Sequence, residues 1–390
     1  MSNFLENRKI FYGPGSIKQI FEFLKIKQFN KVLLVLDKKL SDKSVYIKNF
    51  VYQFKKRVNE KKIVYLHQRH EPTYSQLDKI TFNLKKKKVN KFDCIIGIGG
   101  GSTLDFSKGI ALMLKNTGKS LIYRGFPKNI NQPMPVIAVP STTGTGSELA
   151  FNAVFTDKRK NIKLGINSKK NYPKLSILDP KVLTETPKSI ILNSSLGAIT
   201  RSIDTECNRK SNNISNKFSM KSFQLLFNNI QKILKNKNDL RSWLKMQWGS
   251  YYSVAALLNS TSGPAGLFSY YLSTNFNIPQ GLGYAVSGFN LFKMNHEKGF
   301  YGYSIFYKLI KKKTKKKMSN KMKSKFVIDK LFQLLKKNKV KINFNQISKT
   351  DKRYKKLIHY FSDKIQIINS NNPTKLTKKD LNIVIQRILN

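Results

Sequence analysis

Hydrophobic and polar positions fall into two regimes along the chain. In the first half, short runs rich in Val, Ile and Leu recur: Lys31 to Asp37 (KVLLVLD), Lys62 to Tyr65, Asp93 to Ile98 (DCIIGI), Val136 to Val139 and Leu175 to Leu178. These read as strands. Mixed stretches of about 10 to 15 residues separate them, the length of helices that cross between parallel strands. Beyond residue 187 the apolar positions take helical spacing, as in Phe218 to Leu234 and Val327 to Leu335. Nine of the twelve prolines lie at or before Pro187, and only Pro264, Pro279 and Pro373 follow. Proline is poorly tolerated inside helices. The pattern predicts an α/β domain over residues 1–187 and an all-helical domain over 188–390.

The candidate chemistry sits where strands end. Gly99-Gly100-Gly101-Ser102 follows DCIIGI and opens a predicted helix over Thr103 to Leu114. Glycines at such a junction let backbone amides approach a diphosphate, whose charge the helix N-terminus favours. A tight turn without a ligand is the alternative for that motif taken alone. A second turn of the same type, Pro140-Ser141-Thr142-Thr143-Gly144-Thr145-Gly146-Ser147-Glu148, strengthens the nucleotide reading, because small hydroxyls between glycines suit phosphate or amide groups. Asp37 closes the first strong strand, where an acidic residue accepts hydrogen bonds from an adenosine ribose and repels a 2′-phosphate. Its alternative is an aspartate that merely starts a loop.

Composition narrows the class. The chain has 390 residues, enough for two domains with full cores, and 40% of them are hydrophobic. No apolar run approaches the roughly 20 residues of a spanning helix, and the first residues lack the order of a signal peptide. Cys94 and Cys207 are too few for a disulfide framework. A cytoplasmic protein without membrane attachment is the expectation. The formal charge of +52 raises nucleic-acid binding, but only ten of the basic residues are Arg, and lysine falls in runs such as Lys85 to Lys88 and Lys311 to Lys317. Without the guanidinium fork, such runs carry no specific phosphate recognition. No specific nucleic-acid partner is expected, although the charge should draw acidic small molecules toward the surface.

Several motifs, in order, resemble the iron-containing (group III) alcohol dehydrogenase family. They are Tyr12-Gly13-Pro14-Gly15-Ser16, Glu71-Pro72-Thr73, Gly99 to Lys108 (GGGSTLDFSK), Pro140 to Glu148, Lys163-Leu164-Gly165-Ile166, Asp179-Pro180, Ile278-Pro279-Gln280-Gly281 and Asn372-Pro373. The resemblance implies a Rossmann-like dinucleotide-binding domain followed by a helical domain, the dehydroquinate synthase-like arrangement. It also implies a homo-oligomer. By the same resemblance Gly99, Gly100, Gly101, Ser102 and Asp105 would hold the pyrophosphate region, while Ser141, Thr142, Thr143, Thr145, Ser147 and Lys163 would line the cofactor. Asp37 would favour NAD over NADP.

One part of the family pattern is missing. The family holds a divalent metal with an aspartate and three histidines. In the stretch Ser195 to Asp204 the aspartate position holds Gly197 and the first histidine position Arg201. The second pair of positions holds Gly266 and Gln280, with Tyr270 at an intermediate pocket histidine. Glycine has no side-chain donor, an amide oxygen is a weak ligand beside imidazole, and no His lies between His70 and His296. No metal is expected.

Two residues could then serve catalysis. Arg201 could face a developing alkoxide or clamp a substrate carboxylate, and Tyr270 could relay a proton. The alternatives are a salt bridge from Arg201 to Asp204 or Glu206, and a core position for Tyr270 beside Phe268 and Tyr271. Ser262 to Tyr271 also resembles a branch of the family that oxidises sugar acids such as 3-deoxy-octulosonate. The expected function is an NAD-dependent oxidoreductase without metal, acting on a hydroxyl or carbonyl of an acidic or hydroxylated small molecule. The competing expectation is a catalytically silent nucleotide-binding homologue that serves as a sensor or assembly partner.

Overall fold

The computed structural model describes residues 9–67, 71–86, 91–311, 317–340 and 351–389. They form two compact units, one of the described residues up to 191 with 229–254, and one of 192–228 with the described residues from 255 onward. Asn229–Val254, which the proline pattern groups with the C-terminal helices, therefore belongs to the first unit.

The first unit is built on strands β1 (Lys9–Tyr12), β2 (Lys31–Asp37), β3 (Glu60–Leu66), β4 (Cys94–Gly99), β5 (Val136–Pro140), β6 (Asn152–Asp157), β7 (Ile162–Asn167) and β8 (Leu175–Leu178). Six of them make one sheet in the order β1-β8-β5-β4-β2-β3, with every pairing parallel. Helices α1 (Gln19–Ile26), α2 (Lys38–Lys43), α3 (Val45–Arg57), α4 (Tyr74–Lys86) and α5 (Gly101–Met113) connect the strands. Alternate residues of β2 separate the two cores. Val32, Leu34 and Leu36 pack with Phe23, Ile47 and Phe54, whereas Leu33 and Val35 pack with Leu77, Phe106 and Ile110. Both faces are thus covered, which is why β2 and β4 read as continuous apolar runs. The sequence pattern misses β1, a four-residue edge strand with no buried position, and the antiparallel pair β6–β7. The latter pair is buried on alternate residues, a weaker signal than a continuous run.

The helices of the C-terminal half are α6 (Lys188–Glu206), α7 (Asn213–Lys235), α8 (Leu240–Leu258), α9 (Pro264–Phe276), α10 (Gln280–Glu297), α11 (Tyr307–Ile310), α12 (Asn320–Lys337), α13 (Lys352–Asp363), α14 (Ile365–Asn371) and α15 (Lys378–Leu389). Within the second unit, one core joins α9, α10, α13 and α15 through Phe268, Leu291, Phe361 and Val384. Phe268 stacks on Phe361 with ring centroids 3.8 Å apart. Apolar residues at helical spacing are buried this way because each helix has one apolar face to cover. No helix among the described residues is long and apolar enough to cross a membrane. Most of the lysine run Lys311 to Lys317, and Lys87 and Lys88, lie outside the described residues.

Candidate functional site

In the first unit the candidate cofactor residues converge at the ends of neighbouring strands. Leu36 pairs with Ile98 and Gly99 with Pro140, so Asp37, Gly99 and Pro140 end β2, β4 and β5 side by side. The sheet order sends the chain from β2 outward to β3 and from β4 the other way to β5. Such a reversal opens a crevice at the C-terminal strand ends, where open α/β sheets bind ligands.

Gly100 caps α5 in extended conformation without a side-chain bond, and Thr103 N and Leu104 N donate to its carbonyl. The amides of Gly101 and Ser102 therefore belong to the first turn, ahead of any intrahelical acceptor, and with the helix dipole they suit a diphosphate. The two glycine turns abut directly. Ser141 N donates to Gly99 O at 2.8 Å, and a Cβ on Gly101 would sit 2.5 Å from Thr145 Cγ2. Thr142 lies against Gly100, and its enclosed Oγ1 makes no hydrogen bond among the described residues. A buried hydroxyl in that state calls for a partner from outside the chain. The turns thus fit a dinucleotide. Asp37 Oδ1 accepts from Leu40 N at 2.9 Å and caps α2. That cap engages one carboxylate oxygen, so the loop-starting role and a ribose contact are compatible.

Asp105 and Ser147 hold the turns rather than line them. Asp105 Oδ1 accepts from Ser147 Oγ at 2.6 Å and Oδ2 from Val154 N at 3.1 Å. Lys108, one turn further along α5, is fully buried and 3.2 Å from Asp105 Oδ1. Its ammonium donates to Ser147 Oγ, Ser147 O, Ala150 O and Asn152 O. Burial lowers its pKa, and the Asp105 charge and hydrogen bond oppose that shift. Lys108 is quoted within the glycine motif, yet its part as the lock between both turns follows from contacts 39 to 44 residues away. Lys163, on β7, is buried and paired with Glu71 at 2.8 Å.

The second unit holds Gly197, Arg201, Gly266 and Gln280, the positions where the resemblance would place metal ligands. Gly197 on α6 backs onto the start of α10, where a Cβ would meet Gly281 Cα at 2.7 Å. Asn193 Oδ1 pins that junction by accepting from Leu282 N at 2.7 Å. An aspartate at 197 would have to force backbone apart. Gly197→Ala is expected to lower stability by about 1–3 kcal/mol through overpacking, read as a lower urea midpoint; a midpoint equal to wild type would show that the junction yields. At Gly266 the missing side chain leaves hydroxyls in its place: a Cβ there would collide with Ser262 Oγ and lie 3.7 Å from Tyr284 Oη. Gln280 opens α10, and its carbonyl accepts from Ser269 Oγ at 2.9 Å. Among the described residues no group of three or more His, Cys, Asp or Glu is placed to hold a metal.

Arg201 is half-buried on α6, and its charge draws down the Tyr284 phenol, although burial and Asp204 hold that phenol well above its usual range. Tyr284 Oη donates to Asp204 Oδ2 at 3.0 Å and lies 3.0 Å from Ser262 Oγ. Burial pushes the Asp204 carboxyl up to about 7, against the opposing pull of Tyr284 and the Gly263 amide. Burial raises Glu206 to about 7 as well. Tyr270 on α9 is half-buried, whereas Phe268 and Tyr271 beside it are buried in the aromatic core. Sequence reasoning weighs Asp204 only as a salt-bridge acceptor and misses Tyr284, which has no local motif and meets Asp204 across 80 residues.

A parallel sheet crested by two glycine turns, joined to a helical unit, defines a Rossmann-like dinucleotide-binding fold with a helical C-terminal half. The chain belongs to the iron-containing alcohol dehydrogenase family: residues 7–180 match its iron-containing alcohol dehydrogenase region and residues 191–389 the family's C-terminal region. It is 27% identical to alcohol dehydrogenase 4 of Schizosaccharomyces pombe over 276 residues, covering 70% of this chain and 64% of that protein. Among solved structures, 1,3-propanediol oxidoreductase superposes over 100% of both chains with a TM-score of 0.87 at 21% identity. Sulfoacetaldehyde reductase from Bifidobacterium kashiwanohense, in complex with NAD+, superposes over 100% of this chain and 99% of that one, with a TM-score of 0.82 at 18% identity. At those identities the structural likeness speaks for the fold.

Proposed function

We propose that the protein is an NAD-dependent oxidoreductase that interconverts an alcohol and a carbonyl on an acidic or hydroxylated small molecule, sugar acids included, without a metal. One contrast carries this reading. The glycine turns keep an enclosed Thr142 hydroxyl and first-turn amides suited to a dinucleotide, while the family's metal positions hold Gly197, Arg201, Gly266 and Gln280. A guanidinium at position 201 opposes a divalent cation, and neither glycine supplies a donor.

The bound nicotinamide would supply or accept the hydride. The protein's part is to hold the dinucleotide on the amides of Gly101 and Ser102 and the hydroxyls of Ser141, Thr142, Thr143 and Thr145, with Lys163 beside it and Asp37 favouring NAD over NADP. Arg201 would stabilise negative charge on the reacting oxygen or clamp a substrate carboxylate, replacing part of what a Lewis acid does. Tyr270 would supply a hydroxyl to the same pocket. The name of sulfoacetaldehyde reductase indicates an anionic substrate for that relative, which agrees with the net charge of +52 carried by this chain. Association of copies is part of the same proposal.

The test combines NADH titration, elemental analysis of the purified protein and turnover across sugar acids and aldehydes. Binding of NADH, turnover indifferent to a chelator, and no stoichiometric metal are expected. Stoichiometric iron or zinc with chelator-sensitive turnover would overturn the metal-free reading. Tight NADH binding with no turnover on any substrate would instead favour a silent nucleotide-binding homologue.

A further inference from the structure

The vacated ligand position at Gly266 opens onto a chain of hydroxyls that ends at a buried carboxylate. Ser262, just before α9, and Gly266 are half-buried, whereas Tyr284 and Asp204 are 6% and 5% exposed. Ser262 Oγ lies 3.0 Å from Tyr284 Oη, which donates to Asp204 Oδ2 at 3.0 Å. Because Tyr284 gives its one proton to the carboxylate, it can accept from Ser262, whose other acceptor is the Gly263 carbonyl at 3.1 Å. The chain therefore has an open end and a buried end, with α6 and α10 each holding one member and the segment before α9 the third.

Resting on the function proposed above, we infer that Ser262, Tyr284 and Asp204 form a proton relay that takes up the substrate's hydroxyl proton, with Ser262 as the group that touches substrate and Asp204 as a positioning residue and final acceptor. In the direction of alcohol oxidation, the substrate O–H bond breaks as its proton passes to Ser262 Oγ. The Ser262 proton then moves to Tyr284 Oη, and the Tyr284 proton to Asp204 Oδ2. The electron pair of the broken O–H bond becomes the second bond of the carbonyl. The carbinol C–H pair leaves as hydride, to the oxidised nicotinamide dinucleotide of the proposed function. Asp204 ends neutral and releases its proton along the same path once the carbonyl product has gone. Such a relay does by hydroxyl transfer what general-base catalysis requires near neutral pH.

The groups facing Asp204 set its behaviour. Tyr284 comes from α10 and the Gly263 amide from the residue before α9. Arg201, Glu206 and Cys207 share its own helix or the residue after it, and Tyr303 couples to it from the 3-10 turn Gly302–Phe306. Burial holds Glu206 and Cys207, like Asp204, toward their neutral forms, and the Tyr284 hydrogen bond makes Asp204 the acceptor that the hydroxyl chain reaches.

Three variants test the relay. Because the acceptor must be ionised to take a proton, wild-type kcat for oxidation should rise with pH through about 7 and then level. Asp204→Asn should flatten that rise. Tyr284→Phe should lower kcat about a hundred-fold with little change in KM or in NADH binding, and Ser262→Ala should lower it by a similar factor. An infrared titration supplies a readout apart from turnover. The protonated Asp204 carboxyl band should fade as pH rises through about 7, vanish in Asp204→Asn and shift in frequency in Tyr284→Phe. If Asp204→Asn does not fold, Ser262→Ala and Tyr284→Phe carry the test. Wild-type kcat and pH profile in Tyr284→Phe would overturn the relay while leaving the oxidoreductase reading intact. If the wild type turns over nothing, that reading falls first, and an unshifted carboxyl band in Tyr284→Phe would overturn the relay on its own.

Discussion

The Arg201→Ala variant is expected to lose about a hundred- to a thousand-fold in kcat/KM, the range seen when one preorganised stabiliser of a developing oxyanion is removed. NADH binding should stay within about two-fold of wild type, because the reading assigns Arg201 to the reacting oxygen and gives the dinucleotide to the turns on β4, α5 and β5. Arg201→Lys keeps the charge but loses the planar fork. Recovery of rate by Lys would indicate charge stabilisation of an alkoxide. Failure of Lys, with a raised KM for substrates bearing a carboxylate, would indicate a bidentate clamp. Stopped-flow absorbance at saturating NADH, with a parallel fluorescence titration, separates these cases. A loss below about three-fold would remove Arg201 from the mechanism, and an equal loss of NADH binding would assign it a structural role instead. The reading agrees with the downward pull of Arg201 on the Tyr284 phenol, which places the guanidinium within electrostatic reach of the hydroxyl chain.

Lys108→Met should be the most damaging single change to the first unit. Its ammonium is buried, is paired with Asp105, and is the donor for the carbonyls of Ser147, Ala150 and Asn152. Removing the ammonium leaves the Asp105 carboxylate with only its hydrogen bonds from Ser147 and Val154, at a cost of about 3–5 kcal/mol. The carbonyls would also lose a donor in a place that water does not reach. The urea midpoint should fall, and NADH affinity with it, because Ser147 is held by both Lys108 and Asp105. The double variant Asp105→Leu with Lys108→Met should be less destabilised than the two single losses together, since neither charge is then left alone. A single variant as stable as wild type would show that the clamp is incidental.

How much of this was legible beforehand varied with the range of the interactions. Strands β2, β4, β5 and β8 stood out as apolar runs because a parallel sheet covered on both faces demands apolar residues at every position. The glycine turns and Asp37 were legible for a related reason: strand ends and helix starts impose local backbone requirements that particular residue types meet. β1, β6 and β7 were not legible, since a short edge strand and a half-buried hairpin leave only a faint alternation. Nor did the proline boundary anticipate that Asn229–Val254 packs within the first unit, because helical spacing says that a segment has an apolar face, not what covers it.

The candidate chemistry divides the same way. That Gly197, Gly266 and Gln280 are poor metal ligands could be read from the residues alone, because ligand capacity is a property of the side chain itself. What now stands at those positions was decided by tertiary structure: the closure of Gly197 against Gly281, and the hydroxyls of Ser262 and Tyr284 at the space beside Gly266. The Asp204–Tyr284 bond joins residues 80 apart, and the Lys108 clamp reaches across 39 to 44. Local sequence determines backbone conformation and the donors available. Which donor meets which acceptor depends on how helices and strands far apart in the chain are packed, and only the folded structure decides that.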